Sequence, residues 1–339
     1  MTKLKPYWWE LTKRPAASEQ QALPKEVDIL IVGAGLTGLS AARTAAKAGQ
    51  SVLVVDQHSP GFGASSRNGG MLGGGHKLSI AEMTARYGEH IALGLLREAH
   101  LDSADFVRKV MTEEAIDCDY DQVGRFRGFW HTHEYETTAR ELEQLQKLLP
   151  IEASLLSRAQ QHQAVASDLY RGGVVYHQHA AINPAKWVFG LHRAAVDHGT
   201  LIQGNTAVLG LQKSSHGYLV NTVRGMVKAG KVLLATNGYT PPQMAALHRR
   251  VFPVPSFIIT TENLGRERIK QLFPSDMMVV ESRARHCYYR PSPDKTRIVF
   301  GARAALFDAP EKFAMGQLRK LLGQVFPQLG QIDISHSWR

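Results

Sequence analysis

The sequence predicts a mixed α/β chain in two parts, a parallel βαβ-type region and a sheet-rich α+β region, on three observations. Residues 27–32 and 50–55 are short apolar runs on either side of an Ala-rich stretch at 36–48, the pattern of strand, helix and strand. Residues 61–75, GFGASSRNGGMLGGG, are too rich in glycine to form the interior of an element. Beyond residue 200, β-prone runs follow one another with turn signals between them.

Composition sets the bounds within which these elements act. With 339 residues, 44% apolar and 21% charged, the chain has room for two domains or one large α/β domain with a sizeable core. Lys plus Arg exceed Asp plus Glu by 40 to 30, a net +10 that suits an anionic cofactor, an acidic substrate or peripheral contact with an anionic membrane surface. The charges are scattered and no nucleic-acid motif accompanies them, so nucleic acid is not an expected partner. The longest apolar runs, at 232–235 and 251–259, are too short to span a bilayer, and Pro253 and Pro255 interrupt the second. The N-terminal residues hold no continuous apolar segment of the secretory kind, which places the expected location in the cytoplasm. Cys118 and Cys287 supply neither a disulfide framework nor metal-ligand spacing and read as core thiols of a reducing compartment; no metal site is expected.

In order along the chain, residues 1–25 read as an extended arm pinned to the body by Tyr7, Trp8 and Trp9. The strand at 27–32 leads into the helix at 36–48, Gly49 supplies a C-cap, and the strand at 50–55 closes on Asp56. Leu95, Ala99, Phe106 and Val110 mark a helix, residues 123–130 a strand, and Leu142, Leu145 and Leu149 another helix. His177 and His179 fall on one strand face as polar surface residues without a third metal ligand. Pro184 opens a helix at 185–198. Runs at 205–211, 218–223 and 225–227 form a meander that feeds a strand at 231–235 ending in ATNG. Runs at 254–261, 277–281, 287–290 and 297–301 then build the second sheet.

The chemistry concentrates at the first turn. Gly33, Gly35 and Gly38, with Ala34, Leu36 and Thr37 among them, form G-x-G-x-x-G between a strand and a helix, and Asp56 with Gln57 ends the next strand. The first glycine permits the tight turn, the second lets the backbone approach a pyrophosphate, and the third lets the helix pack on the sheet. Free N–H groups and the helix dipole then meet the pyrophosphate, and Asp56 accepts from ribose hydroxyls. The fingerprint alone leaves NAD and FAD open. The long glycine-rich loop, and the meander leading into Ala235, Thr236 and Asn237, favour FAD.

On these motifs the chain resembles the D-amino-acid oxidase superfamily of flavoproteins, most of all its γ-glutamylputrescine oxidase branch and also glycine oxidases. The likeness rests on VDILIVGAGLTGLSAA from Val27, GFGASSRNGGML from Gly61, INPAKW from Ile182, LLATNGYT from Leu233, CYYRPSPD from Cys287, VFGAR from Val299 and VFPQLGQIDISHSW from Val325. It implies a Rossmann-like FAD-binding domain of the glutathione-reductase type, residues 26–85 and 160–242, with an inserted antiparallel-sheet α+β substrate domain, residues 86–159 and 243–334. It implies oxidation of the C–N bond of an amine or amino acid by hydride transfer to flavin N5, hydrolysis of the imine, and oxygen or another electron acceptor. It also places Ser65, Arg67, Asn68, Gly69 and Gly70 along the pyrophosphate and ring system, Met71 and Leu72 near the flavin, and Val208 at the adenine.

For the substrate, Tyr288, Tyr289 and Arg290 are the candidates, because an Arg beside a phenol can bind a carboxylate; an edge-strand Arg with core tyrosines is the alternative. Arg127 and Trp130 are further candidates. The resemblance leads one to expect a return segment to the FAD domain after the second sheet, which is not found before Arg339. A catalytically silent FAD-binding remnant is therefore the alternative reading, with a nicotinamide-dependent dehydrogenase ranked below both.

Overall fold

A computed structural model describes residues 1–15, 22–284, 286–303 and 309–339; the expected arm at 1–25 lies in part outside the described residues. Its elements form two large sheets. The first has six strands in the order Leu201–Gln203, Val52–Val55, Glu26–Val32, Gly225–Leu234, Gly217–Thr222 and Val208–Ser214. The first four are mutually parallel, and each of the last two pairs antiparallel with its predecessor. Val52–Val55 is buried along its whole length, which is why it reads as an unbroken apolar run. The helices Leu36–Lys47 and Pro184–Asp197 pack together on one face over Ile31 and Val54, and Val208, Val220 and Val227 cover Leu30 and Leu53 on the other.

The two runs expected at 225–227 and 231–235 are one strand, Gly225–Leu234. Its first half pairs with Gly217–Thr222 and its second with Glu26–Val32, Ala229 being shared by Tyr218 and Val27. The change of partner, and not a turn, separates the two apolar patterns.

The second sheet has eight strands in the order Ile334–Trp338, Phe257–Thr261, Ile298–Ala302, Cys287–Pro291, Met278–Glu281, Arg125–Gly128, Gly173–Tyr176 and Ala153–Leu156. All its pairings are antiparallel save that between Met278–Glu281 and Arg125–Gly128. The helix Glu311–Val325, unforeseen although Leu318, Leu322 and Val325 have helical spacing, contributes these three side chains to the core over one face, with Phe126, Tyr289 and Phe300. The opposite face shares a core with the first helical layer through Ile258, Val299 and Trp338. Ala153–Leu156 and Gly173–Tyr176 are neighbours in this sheet, so the boundary expected at residue 160 falls inside it.

Two local expectations change. The helix marked by Leu95 to Val110 is two helices, Glu89–Arg97 and Ser103–Glu113, joined by a π-helical turn at Glu98–Asp102. His177 and His179 lie in the turn after Gly173–Tyr176 and not on a strand face: the His177 ring bonds to the Ser154 hydroxyl, whereas His179 is buried and stacked on Tyr176. Trp8 is fully buried, its indole N–H donating to the Asn68 carbonyl, so the arm is pinned through the glycine-rich loop. Both cysteines are free and buried, and burial pushes each thiol up to about 12. Among the described residues no helix is long and apolar enough to cross a membrane.

Candidate active site

The turn from Glu26–Val32 into Leu36–Lys47 opens a cleft of about 300 Å³. Gly33 takes φ +112°, and a Cβ there would stand 2.6 Å from the Ala235 carbonyl oxygen, so the ATNG strand end passes where a side chain would otherwise be. At Gly38 a Cβ would lie 1.9 Å from the Gly33 carbonyl oxygen, so only glycine lets the helix start this close to the turn. Asp56 accepts hydrogen bonds from the Ala34 and His58 backbone N–H groups, each at 2.8 Å. Burial outweighs these two donors and holds its carboxyl above the ordinary value. The Ser65 hydroxyl accepts from the Leu36 N–H at 3.0 Å, joining the glycine-rich loop to the first helical turn.

Gly33, Ala34, Gly35, Asp56, Gln57, Ser65, Val208, Ala235, Thr236 and Asn237 all line the cleft; Leu36, Thr37 and Gly38 stand behind the lining in the helix. Thr206 and Tyr239 also line it and were missed. Tyr239 packs its ring over Gly63, a contact between segments far apart in sequence that no local pattern announces. Backbone, small side chains and one acid suit a dinucleotide: helix-start N–H groups for the pyrophosphate and carboxylate lone pairs for ribose hydroxyls.

Arg67 does not join them. Its Nε donates to the Phe62 carbonyl and a terminal nitrogen to the Arg339 carbonyl, while the guanidinium lies over the Phe62 and Trp9 rings, 4.2 Å and 5.0 Å from their centres. The expected phosphate contact is corrected to a clamp, because nearby carbonyls and aromatic rings already occupy the guanidinium. The same loop is tied from below by the indole N–H groups of Trp9, to the Ser66 hydroxyl, and Trp338, to the Arg67 carbonyl. The Asn68 side chain bonds within the loop to the Gly70 N–H and the Ala64 and Ser65 carbonyls. Met71 and Leu72 pair with Ala181 and Ala180 as a short two-stranded ladder. Asn68 to Leu72 thus lie outside the cleft lining, on the side toward the eight-stranded sheet.

Of the three substrate candidates, only Tyr288 is not fully buried. Its ring packs against Gly69 and Gly301, where Cβ atoms would lie 2.8 Å and 2.3 Å away, and its hydroxyl bonds to Ser256 at 2.8 Å. Tyr289 points the opposite way, fully buried under the helices, with its hydroxyl 2.6 Å from that of Tyr170. Period-two alternation makes this unavoidable once one face is covered. Arg290 is on the Tyr288 face but only 2% exposed; one guanidinium nitrogen donates to the Gly70 and Ile182 carbonyls at 2.6 and 3.1 Å, and the group lies 5.2 Å over Trp8. Burial draws its pKa down to about 10 although Asp119 and Asp121 oppose the shift. Arg290 therefore braces the loop beneath Gly70, and the expectation that it meets a substrate carboxylate is corrected.

Trp130 is held under Arg283, 4.5 Å from its ring. Arg127 lines a different hollow with Arg125, which sequence reasoning passed over although it sits two residues away on the same strand face.

The chain matches the DAO family, described as FAD dependent oxidoreductase, over residues 28–339. It is 30% identical over 317 residues to gamma-glutamylputrescine oxidoreductase of Escherichia coli, covering 92% of this chain and 72% of that protein. A probable oxidoreductase OrdL of Haemophilus influenzae is 29% identical over 329 residues, with 93% and 72% covered. Among solved structures, glycine oxidase from Geobacillus kaustophilus superposes with a TM-score of 0.73 at 18% identity, covering 93% of this chain and 82% of that one. L-proline dehydrogenase from P. horikoshii does so at 0.70, also with 18% identity, covering 93% and 81%. With the fingerprint built and the match spanning nearly the whole chain, this protein belongs to the DAO family of FAD-dependent oxidoreductases, and the dinucleotide it takes is FAD.

Proposed function

We propose that this chain oxidises the C–N bond of a small amine or amino acid, the imine product being hydrolysed in water. FAD, which the Gly33 to Gly35 turn and Asp56 would hold, would supply the two-electron oxidant for the C–H bond next to nitrogen, with oxygen or another acceptor as the final electron sink. The observation that carries the reading is the packing of Tyr288 against Gly69, which sets a neutral phenol of the sheet face on the loop that follows the dinucleotide cleft. Burial raises the Tyr288 pKa, so the phenol stays protonated and can orient an amine without adding charge beside it.

The chain's other groups hold this arrangement still. Arg290, Trp8, Trp9 and Trp338 each bond to a backbone carbonyl or hydroxyl of residues 66–70, so the loop has little freedom to shift relative to the sheet. The name of the Escherichia coli relative, with 30% identity, supports an aminoalkyl substrate of the γ-glutamylputrescine kind. The test is anaerobic mixing of the FAD-loaded protein with a panel of amines and amino acids while the flavin absorption is followed. Bleaching by at least one primary or secondary amine is expected; an oxidised spectrum throughout the panel would sink the reading.

A further inference from the structure

A second cavity, of about 340 Å³, lies against the far end of the glycine-rich stretch and plays no part in the reading above. Residues 73–80, the helix His133–Leu148 and the strand Arg125–Gly128 contribute its walls. Arg125 and Arg127 both face it, because Phe126 between them turns into the opposite core at 0% exposure. The π-helical turn at Glu98–Asp102 brings His100 to the same wall, and Lys77 joins it from the loop. Glycine is what allows the loop to sit so close: a Cβ at Gly74 would stand 1.8 Å from the Ala99 carbonyl oxygen.

The polar groups here are incompletely satisfied. One terminal nitrogen of Arg125 reaches the Gly74 carbonyl only at 3.4 Å, its guanidinium lies 5.9 Å from the Tyr176 ring centre, and its Nε is out of solvent without a partner. The Nδ1 of His100 is also buried and unpartnered. Of the described residues lining the cavity, Glu141 is the only acid, set against Arg125, Arg127 and Lys77. A guanidinium withdrawn from water without an anion is costly, and a carboxylate matches its planar fork with two parallel hydrogen bonds. Glu141 in the wall disfavours an anion that concentrates two charges at one point, such as phosphate, more than it disfavours a single carboxylate group.

We propose that this cavity binds a carboxylate through Arg125 and Arg127 and, resting on the amine-oxidation reading, that this carboxylate is the far end of the substrate, remote from the C–N bond oxidised. Residues 73–75, which line this cavity, follow directly in the chain on Met71 and Leu72 at the end of the glycine-rich loop. Calorimetric titration of the FAD-loaded protein with glutarate, glutaramide and inorganic phosphate tests the assignment. Glutarate alone is expected to bind. Arg125→Leu and Arg127→Gln should each weaken it about tenfold or more, the worth of a charge-assisted pair, while Arg140→Gln, an exposed charge on the neighbouring helix, leaves it bound.

Arg127 is exposed, so its variant reports binding even if Arg125→Leu disturbs folding. Glutarate that fails to bind, that binds equally well to both variants, or that is outcompeted by phosphate overturns the proposal. A protein whose flavin is bleached by simple alkylamines but that ignores glutarate keeps the oxidation reading and loses this one. One that binds glutarate through Arg125, yet whose flavin no amine bleaches, keeps the carboxylate site and loses the reaction.

Discussion

The cleft at the first glycine turn and the cavity beside Arg125 differ in what faces the ligand. Backbone, small side chains, Asp56 and uncharged larger groups such as Phe62 and Tyr239 wall the cleft, with no Lys or Arg among the described residues that line it; the cavity presents Arg125, Arg127 and Lys77. In the cleft the half-buried charge is satisfied, since Asp56 takes N–H donors from both Ala34 and His58. In the cavity the half-buried cation is not, because Arg125 leaves its buried Nε unpaired. The difference teaches that a family-wide cofactor can be held by peptide groups and a helix start, which depend on tight glycine geometry, whereas a hollow lined by unsatisfied side chains is open to change by single substitutions.

The largest expected effect breaks the backbone half of that contrast. Gly38→Ala drives a methyl into the Gly33 carbonyl, with no side chain able to move aside, and should cost about 3 kcal/mol and strip the flavin during purification. Thermal unfolding and visible absorbance after gel filtration would show it; a yellow protein of unchanged melting temperature would mean the turn has slack.

A second effect belongs to His179, which stacks on the cavity-lining Tyr176. Burial, with Arg125 and His100 nearby, pushes the His179 imidazole down to about 3 from its ordinary 6.5. The unfolded chain therefore takes up a proton near pH 6.5 that the folded chain refuses until about pH 3, so stability should fall as pH drops through that window. His179→Phe should flatten this slope, a difference on the order of a few kcal/mol at the acid end, read from denaturant melts at several pH values. Parallel slopes for the two proteins would show that His179 is protonated in the fold.

The smallest effect has the opposite sign. Arg125→Leu removes a poorly paired cation from the cavity wall and should leave stability unchanged or raise it by about 1 kcal/mol, unlike the usual large-to-small loss. A clear drop in melting temperature would mean that Arg125 is better satisfied than its geometry indicates.

What could be read beforehand follows the range of the interactions. Gly33, Gly35, Gly38 and Asp56 act within one strand-helix-strand unit, so their spacing was sufficient to place three of them at the cleft and Gly38 in the helix behind it. Arg67 was misplaced because the groups that hold it, the Arg339 carbonyl and the Trp9 ring, lie far along the chain in opposite directions. Arg125 was passed over although the R-F-R alternation put it on the Arg127 face; what makes it notable is the absence of a partner for Nε, a property of the packed surroundings.

The pair Tyr288 and Tyr289 marks the dividing line. By itself the sequence determined the strand, its alternation and therefore that the two rings point to opposite faces, since pleating is a local consequence of the backbone. Which ring meets the glycine-rich loop was decided only when Glu311–Val325 covered the Tyr289 face and the first helical layer met the other. The physical reason is that an alternating strand has two equivalent sides until another part of the chain buries one of them.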